Sequence, residues 1–289
     1  MKSLPVRRSV RVLVSGACLS LAAARAQAQS ASSVANYVQG TGASVGYDNP
    51  SAALGEPSRV TPGPFGGPVD PFAPPYLNSQ LVSIGAGGSL TVQFSSPILN
   101  NPSNPFGLDF LVFGNGGFVV TNAYDENFNP IGTPATDGSL FGGGATASIS
   151  VSADGQTFFT LSPALSPAID AMFPTDGSGD FGTPVNPGLK ASDFAGLTLE
   201  DIRALYAGSG GGTGFDLAWA RDASGAPVTV DLVRFVRVEV TDGKVDLDGF
   251  SSVSTVPEPS TWALIALGCG VLLPACLRRR PSSLNASRR

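Results

Sequence analysis

The sequence predicts an all-β fold, a single β-sandwich with one short helix. Three observations carry this. The 289 residues include 36 glycines and 24 prolines, a content that interrupts long helices and suits short strands joined by turns. Apolar residues alternate with polar ones over several short stretches, the period of a half-buried strand. The segment between the two chain ends holds about 228 residues, enough for one domain.

Taken in order, Gly88–Phe94 places Leu90, Val92 and Phe94 on one face. Leu108–Phe113 is an apolar run interrupted by Asp109. Ala147–Leu161 predicts a hairpin with its turn at Asp154-Gly155. Leu197–Ala207 has helical periodicity and stops at Gly208. Asp231–Val240 alternates again, and Leu247–Val253 is the expected last strand. Residues 55–80 are rich in Pro and Gly and predict a loop or insertion. A jelly-roll order suits these spacings.

Composition excludes several chemistries. Histidine is absent, and the three cysteines are Cys18, Cys269 and Cys276, all near the chain ends. The central segment therefore has no disulfide framework, no Ser-His or Cys-His catalysis and no common zinc site. A metal there would need oxygen ligands, which favours calcium. Residues 29–255 carry seven Lys or Arg and 21 Asp or Glu, a net charge of −14 against −5 for the whole chain. Such a surface repels nucleic acid, and it suits divalent cations or neutral glycans.

Both ends read as targeting segments. Lys2, Arg7, Arg8 and Arg11 precede an apolar stretch, Val12–Ala24, and an Ala26-Gln27-Ala28 site. This predicts a signal peptide over 1–28, cut by signal peptidase before Gln29. At the other end, Pro257 and Pro259 bar a helix from running in from the domain. Trp262–Leu277 is then free of charge, and as a helix it spans about 24 Å. Trp262 on one side and Arg278, Arg279 and Arg280 on the other can snorkel to cover a ~30 Å hydrocarbon core. The predicted anchor is thus a transmembrane helix over 262–277 with a basic tail over 278–289. The positive-inside rule puts the arginines in the cytoplasm and the domain outside.

The run VPEPSTWAL, an apolar helix and an arginine cluster together resemble the PEP-CTERM sorting signal of Gram-negative bacteria. The resemblance implies export, recognition of Pro257-Glu258-Pro259 by a membrane exosortase, and removal of the helix. It makes 256–289 the sorting signal and 29–255 the ectodomain, held at the inner membrane and then displayed at the cell surface or released. It also implies a structural or adhesive role linked to exopolysaccharide and biofilm; no enzyme activity is expected, since nothing in the sequence pairs a glutamate of the domain with an aspartate for glycoside hydrolysis.

A looser resemblance covers residues 80–253. Gly88–Phe94, Asp109–Gly116, Ile149–Phe158, Gly214–Ala218 and Val233–Asp248 follow the order seen in a group of bacterial cell-surface β-sandwich proteins. Ala53–Pro57 is similar to a segment of galactose-binding-like jelly rolls. That likeness implies a surface location, a structural calcium and, as the alternative function, a carbohydrate-binding module.

Within the domain, Asp246 and Asp248 stand two apart on a predicted strand and share a face. Asp109, Asp216 and Asn115 are the expected partners for a calcium there. Asp176-Gly-Ser-Gly-Asp180 starts like an EF-hand loop, but Phe181 and Pro187 occupy positions that need glycine and glutamate, so it predicts a turn. Trp219 is the expected sugar platform, with Tyr76, Tyr124 and Phe118 as further aromatics.

Overall fold

The computed structural model describes residues 28–127, 129–142, 144–165 and 173–254. They fall in one compact unit, Ala26–Val256. The predicted signal peptide up to residue 27, the Pro257-Glu258-Pro259 motif, the 262–277 helix and Arg278–Arg280 lie outside the described residues.

The strands are β1 (Ser33–Val38), β2 (Val60–Thr61), β3 (Gly67–Pro68), β4 (Val82–Gly85), β5 (Ser89–Leu99), β6 (Phe110–Gly114) and β7 (Gly117–Val120). They continue with β8 (Thr136–Phe141), β9 (Thr146–Ser152) and β10 (Phe159–Leu161). After helix α1 (Leu199–Tyr206) come β11 (Thr213–Phe215), β12 (Ala220–Arg221), β13 (Leu232–Asp242) and β14 (Lys244–Ser252). A six-stranded sheet runs β1-β5-β13-β9-β10-β12, and a four-stranded sheet runs β11-β6-β14-β4. Two ribbons, β2-β3 and β7-β8, stand apart from them. Every strand pairing is antiparallel.

Strand alternation builds the core. Val236 of β13 lies opposite Val92 and Val151, and Val238 lies opposite Leu90 and Ile149. These residues form two apolar rows across three strands, all buried. They pack in one cluster with Phe110, Val112, Val245, Leu247 and Phe250 of the smaller sheet. Burying each such side chain stabilises the fold by roughly 1.5–3 kcal/mol, so the two inner faces hold the sandwich together. On the outer face between these rows, the Arg237 guanidinium lies 3.6 Å from the Phe158 ring centroid.

The run Leu108–Phe113 does not alternate because β6 is covered on both sides. Phe110 and Val112 face the sandwich core, while Leu111 and Phe113 join Leu108, Phe181 and Val253 in a separate cluster. Helix α1 begins where Thr198 Oγ1 accepts from the Asp201 amide, with the Asp201 carboxylate capping Thr198 in return. It ends at Ala207 in the left-handed region, φ 51°, one residue before the expected Gly208. Ile202 and Tyr206, four apart on one face, bury against Phe118, Phe173 and Phe194.

Two expectations change in detail. The 147–161 hairpin has no two-residue turn, since Val151 pairs with Phe159 and leaves a loop of 153–158. Asp154 shapes that loop by accepting from the amides of Gln156 and Thr157 at 2.8 and 2.9 Å. The 55–80 segment contains the ordered β2-β3 ribbon, with Phe65 in the connecting turn.

The N-terminal segment pairs with the last strand. Gln29 accepts from the Ser252 amide at 2.8 Å, and the Ala31 amide donates to Phe250 at 3.1 Å. The two ends of the domain therefore meet at one place.

Candidate functional site

The four aspartates expected around a cation lie in three places. Asp109 and Asp216 flank the β6–β11 pairing, where Phe110 stands opposite Phe215. Asp109 Oδ1 accepts from the Asn101 amide and from Asn104 Nδ2, both at 3.0 Å, and its Oδ2 accepts from the Leu217 amide at 2.9 Å. Burial pushes the Asp109 carboxyl up to about 6, against those donors, and the nearby Asp216 charge pushes the same way. Asp216 caps the turn at Leu217–Trp219 by accepting from the Ala218 amide at 2.7 Å, and burial raises it as well. Asn115 follows β6 at the strand end opposite Asp109.

On β14, the register slips between Leu247 and Gly249, so period two does not carry through Asp248. Asp246 accepts from Lys244 Nζ at 3.2 Å. Asp248 turns to Ser58, whose amide and hydroxyl both donate to it at 2.7 Å. Among the described residues no three acidic, His or Cys side chains gather where a metal could sit.

Asp248 carries a pH dependence. Burial lifts its carboxyl to about 7 from the ordinary 3.8, the Ser58 donors opposing. Between about pH 4 and 7 the folded state keeps a proton that the unfolded chain has lost. Stability therefore falls as pH rises through this window, by up to roughly 4 kcal/mol for this group. Asp109 acts in the same direction over a narrower window. Asp248→Asn is expected to flatten the slope and to be more stable than the parent at pH 8, because Ser58 Oγ can turn to accept from the amide. Urea denaturation at pH 5 and pH 8 checks this. An unchanged slope in the variant would refute the assignment.

The Asp176–Asp180 loop is a turn, as its sequence predicts, and arginines hold it. Arg203 donates to both Asp176 oxygens, at 2.7 and 3.0 Å. Arg59 donates to the carbonyls of Gly177 and Gly179 at 2.6 and 3.0 Å, and its guanidinium lies 4.4 Å from the Phe181 ring centroid. Burial pushes the Asp176 carboxyl up, but the bonds from Arg203 and Ser178 outweigh it and leave it below the ordinary value.

The expected aromatics divide. Trp219 is half-buried, packs against two core clusters and meets Phe215 edge-on at 6.5 Å. Phe118 is in the core beneath α1. Tyr124 is exposed on a different surface segment from Tyr76.

Tyr76 lines a cleft of about 310 Å³ whose other aromatics, Phe65 and Phe141, the sequence reading passed over. The β2-β3 ribbon carries Phe65 at its turn, 90% exposed. Tyr76 Oη donates to the Phe65 carbonyl at 3.0 Å and so fixes the turn. Tyr47 Oη in turn donates to the Tyr76 carbonyl at 2.5 Å. The tight return of the chain requires Gly66, since a Cβ there would strike the Thr61 carbonyl. The Phe141 ring packs on the bare backbone of Gly117, where any Cβ would collide with it. Thr61 also lines the cleft. It is 4% exposed, and its Oγ1 has no hydrogen-bond partner among the described residues. The sequence signal for this site was proline- and glycine-rich punctuation around single aromatics, which marks turns as readily as a binding surface.

A larger cleft of about 710 Å³ lies beside α1, lined by Phe72, Pro130, Pro134, Glu200 and Arg203. Its one cation is already committed to Asp176.

No curated protein is significantly similar to the chain. Residues 255–280 match the PEP-CTERM protein-sorting motif. They begin where the described part of the sandwich ends, after the pairing that joins β14 to the N-terminal segment. The chain is thus an all-β sandwich carrying a PEP-CTERM sorting motif at 255–280, which marks it as an exported protein sorted by exosortase.

Proposed function

We propose that the sandwich is a non-catalytic component of the cell envelope or extracellular matrix, with a structural or adhesive role linked to exopolysaccharide and biofilm. The sorting motif carries this reading. In it, signal peptidase frees Gln29, and the 262–277 helix holds the chain in the inner membrane with Arg278–Arg280 inside. Exosortase then acts at Pro257-Glu258-Pro259. The net charge of −14 over residues 29–255 favours a soluble domain that stays off anionic lipid. The pairing of Gln29 with Ser252 supports the same scheme. Gln29, the first residue after the signal-peptide cut, and Ser252, near the last described residue, thus lie together on one edge of the domain.

Deleting the gene tests this role. A deletion strain is expected to form a less cohesive matrix, restored by the wild-type chain and not by one with Pro257, Glu258 and Pro259 all changed to alanine. Full restoration by the altered chain would contradict the scheme.

A further inference from the structure

We propose that the cleft between Phe65, Tyr76 and Phe141 binds a short stretch of neutral polysaccharide, an inference that rests on the matrix role above and gives it a contact site. Three observations converge on it. First, Phe65 and Phe141 are 90% and 44% exposed, and Tyr76 is 44% exposed. Aromatic rings held open to solvent beside one another are costly for a freely soluble surface. Their apolar faces suit the C–H faces of a pyranose ring.

Second, the backbone that carries Phe65 and Tyr76 and the seat of the Phe141 ring are in place before any ligand arrives. The Tyr47–Tyr76–Phe65 hydrogen-bond relay holds one wall, and the seat of Phe141 on Gly117 holds the other. A preformed wall loses little entropy on binding.

Third, a buried hydroxyl without a partner loses the hydrogen bonds it had in water. Thr61 Oγ1 is such a group, and Thr61 is one of the residues that line this cleft. The atom is sealed in the free protein, so a sugar hydroxyl pairs with it through a small movement of the Thr61 side chain on binding. Among the described residues no charged side chain lines the cleft, and the domain around it is acidic. An anionic polymer would be repelled, and a cationic one would find no carboxylate to pair with, so the ligand is a neutral glycan.

Affinity electrophoresis of the full chain in mild detergent tests the cleft directly, with dextran, soluble β-glucan, galactomannan and alginate in the gel. Retardation is expected in at least one neutral polymer and not in alginate. Phe65→Ala is expected to weaken it about tenfold or more, as for a central aromatic anchor. Its melting temperature should not change, because the ring is exposed. Thr61→Val is expected to weaken binding several-fold while leaving the melting temperature unchanged or higher, a combination that a merely structural hydroxyl would not give. Unaltered mobility of the wild type in all three neutral polymers would overturn the proposal. So would Phe65→Ala binding as the parent does, or self-association lost in Phe65→Ala, which would assign the rings to a second copy of the chain. In cells, Phe65→Ala should be exported and processed normally yet wash out of the matrix. Normal retention of that variant, beside a matrix defect in the deletion strain, would sink the cleft and spare the matrix role. An intact matrix in the deletion strain, beside cleft-dependent retardation in the gel, would do the reverse.

Discussion

Arg203→Met is expected to destabilise the domain by about 2 kcal/mol at pH 7. Breaking a buried pair from one side commonly costs roughly 3–5 kcal/mol, and the 40% exposure of the Arg203 side chain lets water recover part of that. The loss arises at Asp176, whose side chain is 2% exposed and would be left charged beside only its Ser178 donors. The pH profile is diagnostic. In the parent, the lowered Asp176 carboxyl contributes stability above the ordinary carboxylate range, and this is lost as pH falls through its folded value. Without Arg203, only the Ser178 bonds oppose burial, and the carboxyl rises. The variant should then lose least at acid pH, where the group is neutral. Denaturant titrations at pH 4.5 and 7.5 decide the matter. Equal losses at both would show that Arg203 acts through packing rather than charge.

The second large effect is expected at Asp109. Asp109→Ala removes the acceptor for three donors, the amides of Asn101 and Leu217 and the side chain of Asn104. A buried donor left unpaired costs about 1–3 kcal/mol, and the groups act as one network, so a total loss of about 3 kcal/mol is expected. Asp109→Asn should lose less, because one oxygen still serves two of the donors. It also removes a buried charge. The measured order of stability should be Asp, Asn, Ala at pH 5. An Ala variant as stable as the parent would mean that this network does not tie the 101–109 loop to Leu217.

These networks explain which parts were legible in the sequence. Alternation in Gly88–Phe94 and Asp231–Val240 located β5 and β13 because each buries one face. The helical pattern of Leu197–Ala207 and the stop at Gly208 located α1, whose capping groups Thr198 and Asp201 also lie within one turn. The aspartates behaved differently. Spacing alone put Asp246 and Asp248 on one face, but a slip in strand register and the reach of Ser58 from 190 residues away gave them separate partners. Likewise, Asp176 reads as a loop carboxylate until Arg203 is brought to it by the fold. Trp219 stood out by residue type, whereas Phe65, Phe141 and Thr61 come together only through ribbons whose pairing no local pattern specifies. The sorting motif was legible because its order of proline turn, apolar run and arginines is itself the signal.

Delivery by that motif is the central claim, and peptide mass spectrometry of the protein in the washed extracellular matrix tests it most directly. The account predicts a chain that begins at Gln29 and contains the whole sandwich through Val253. It should yield no peptide from Trp262–Arg289. Recovery of the extracellular protein with the 262–289 tail intact would contradict it.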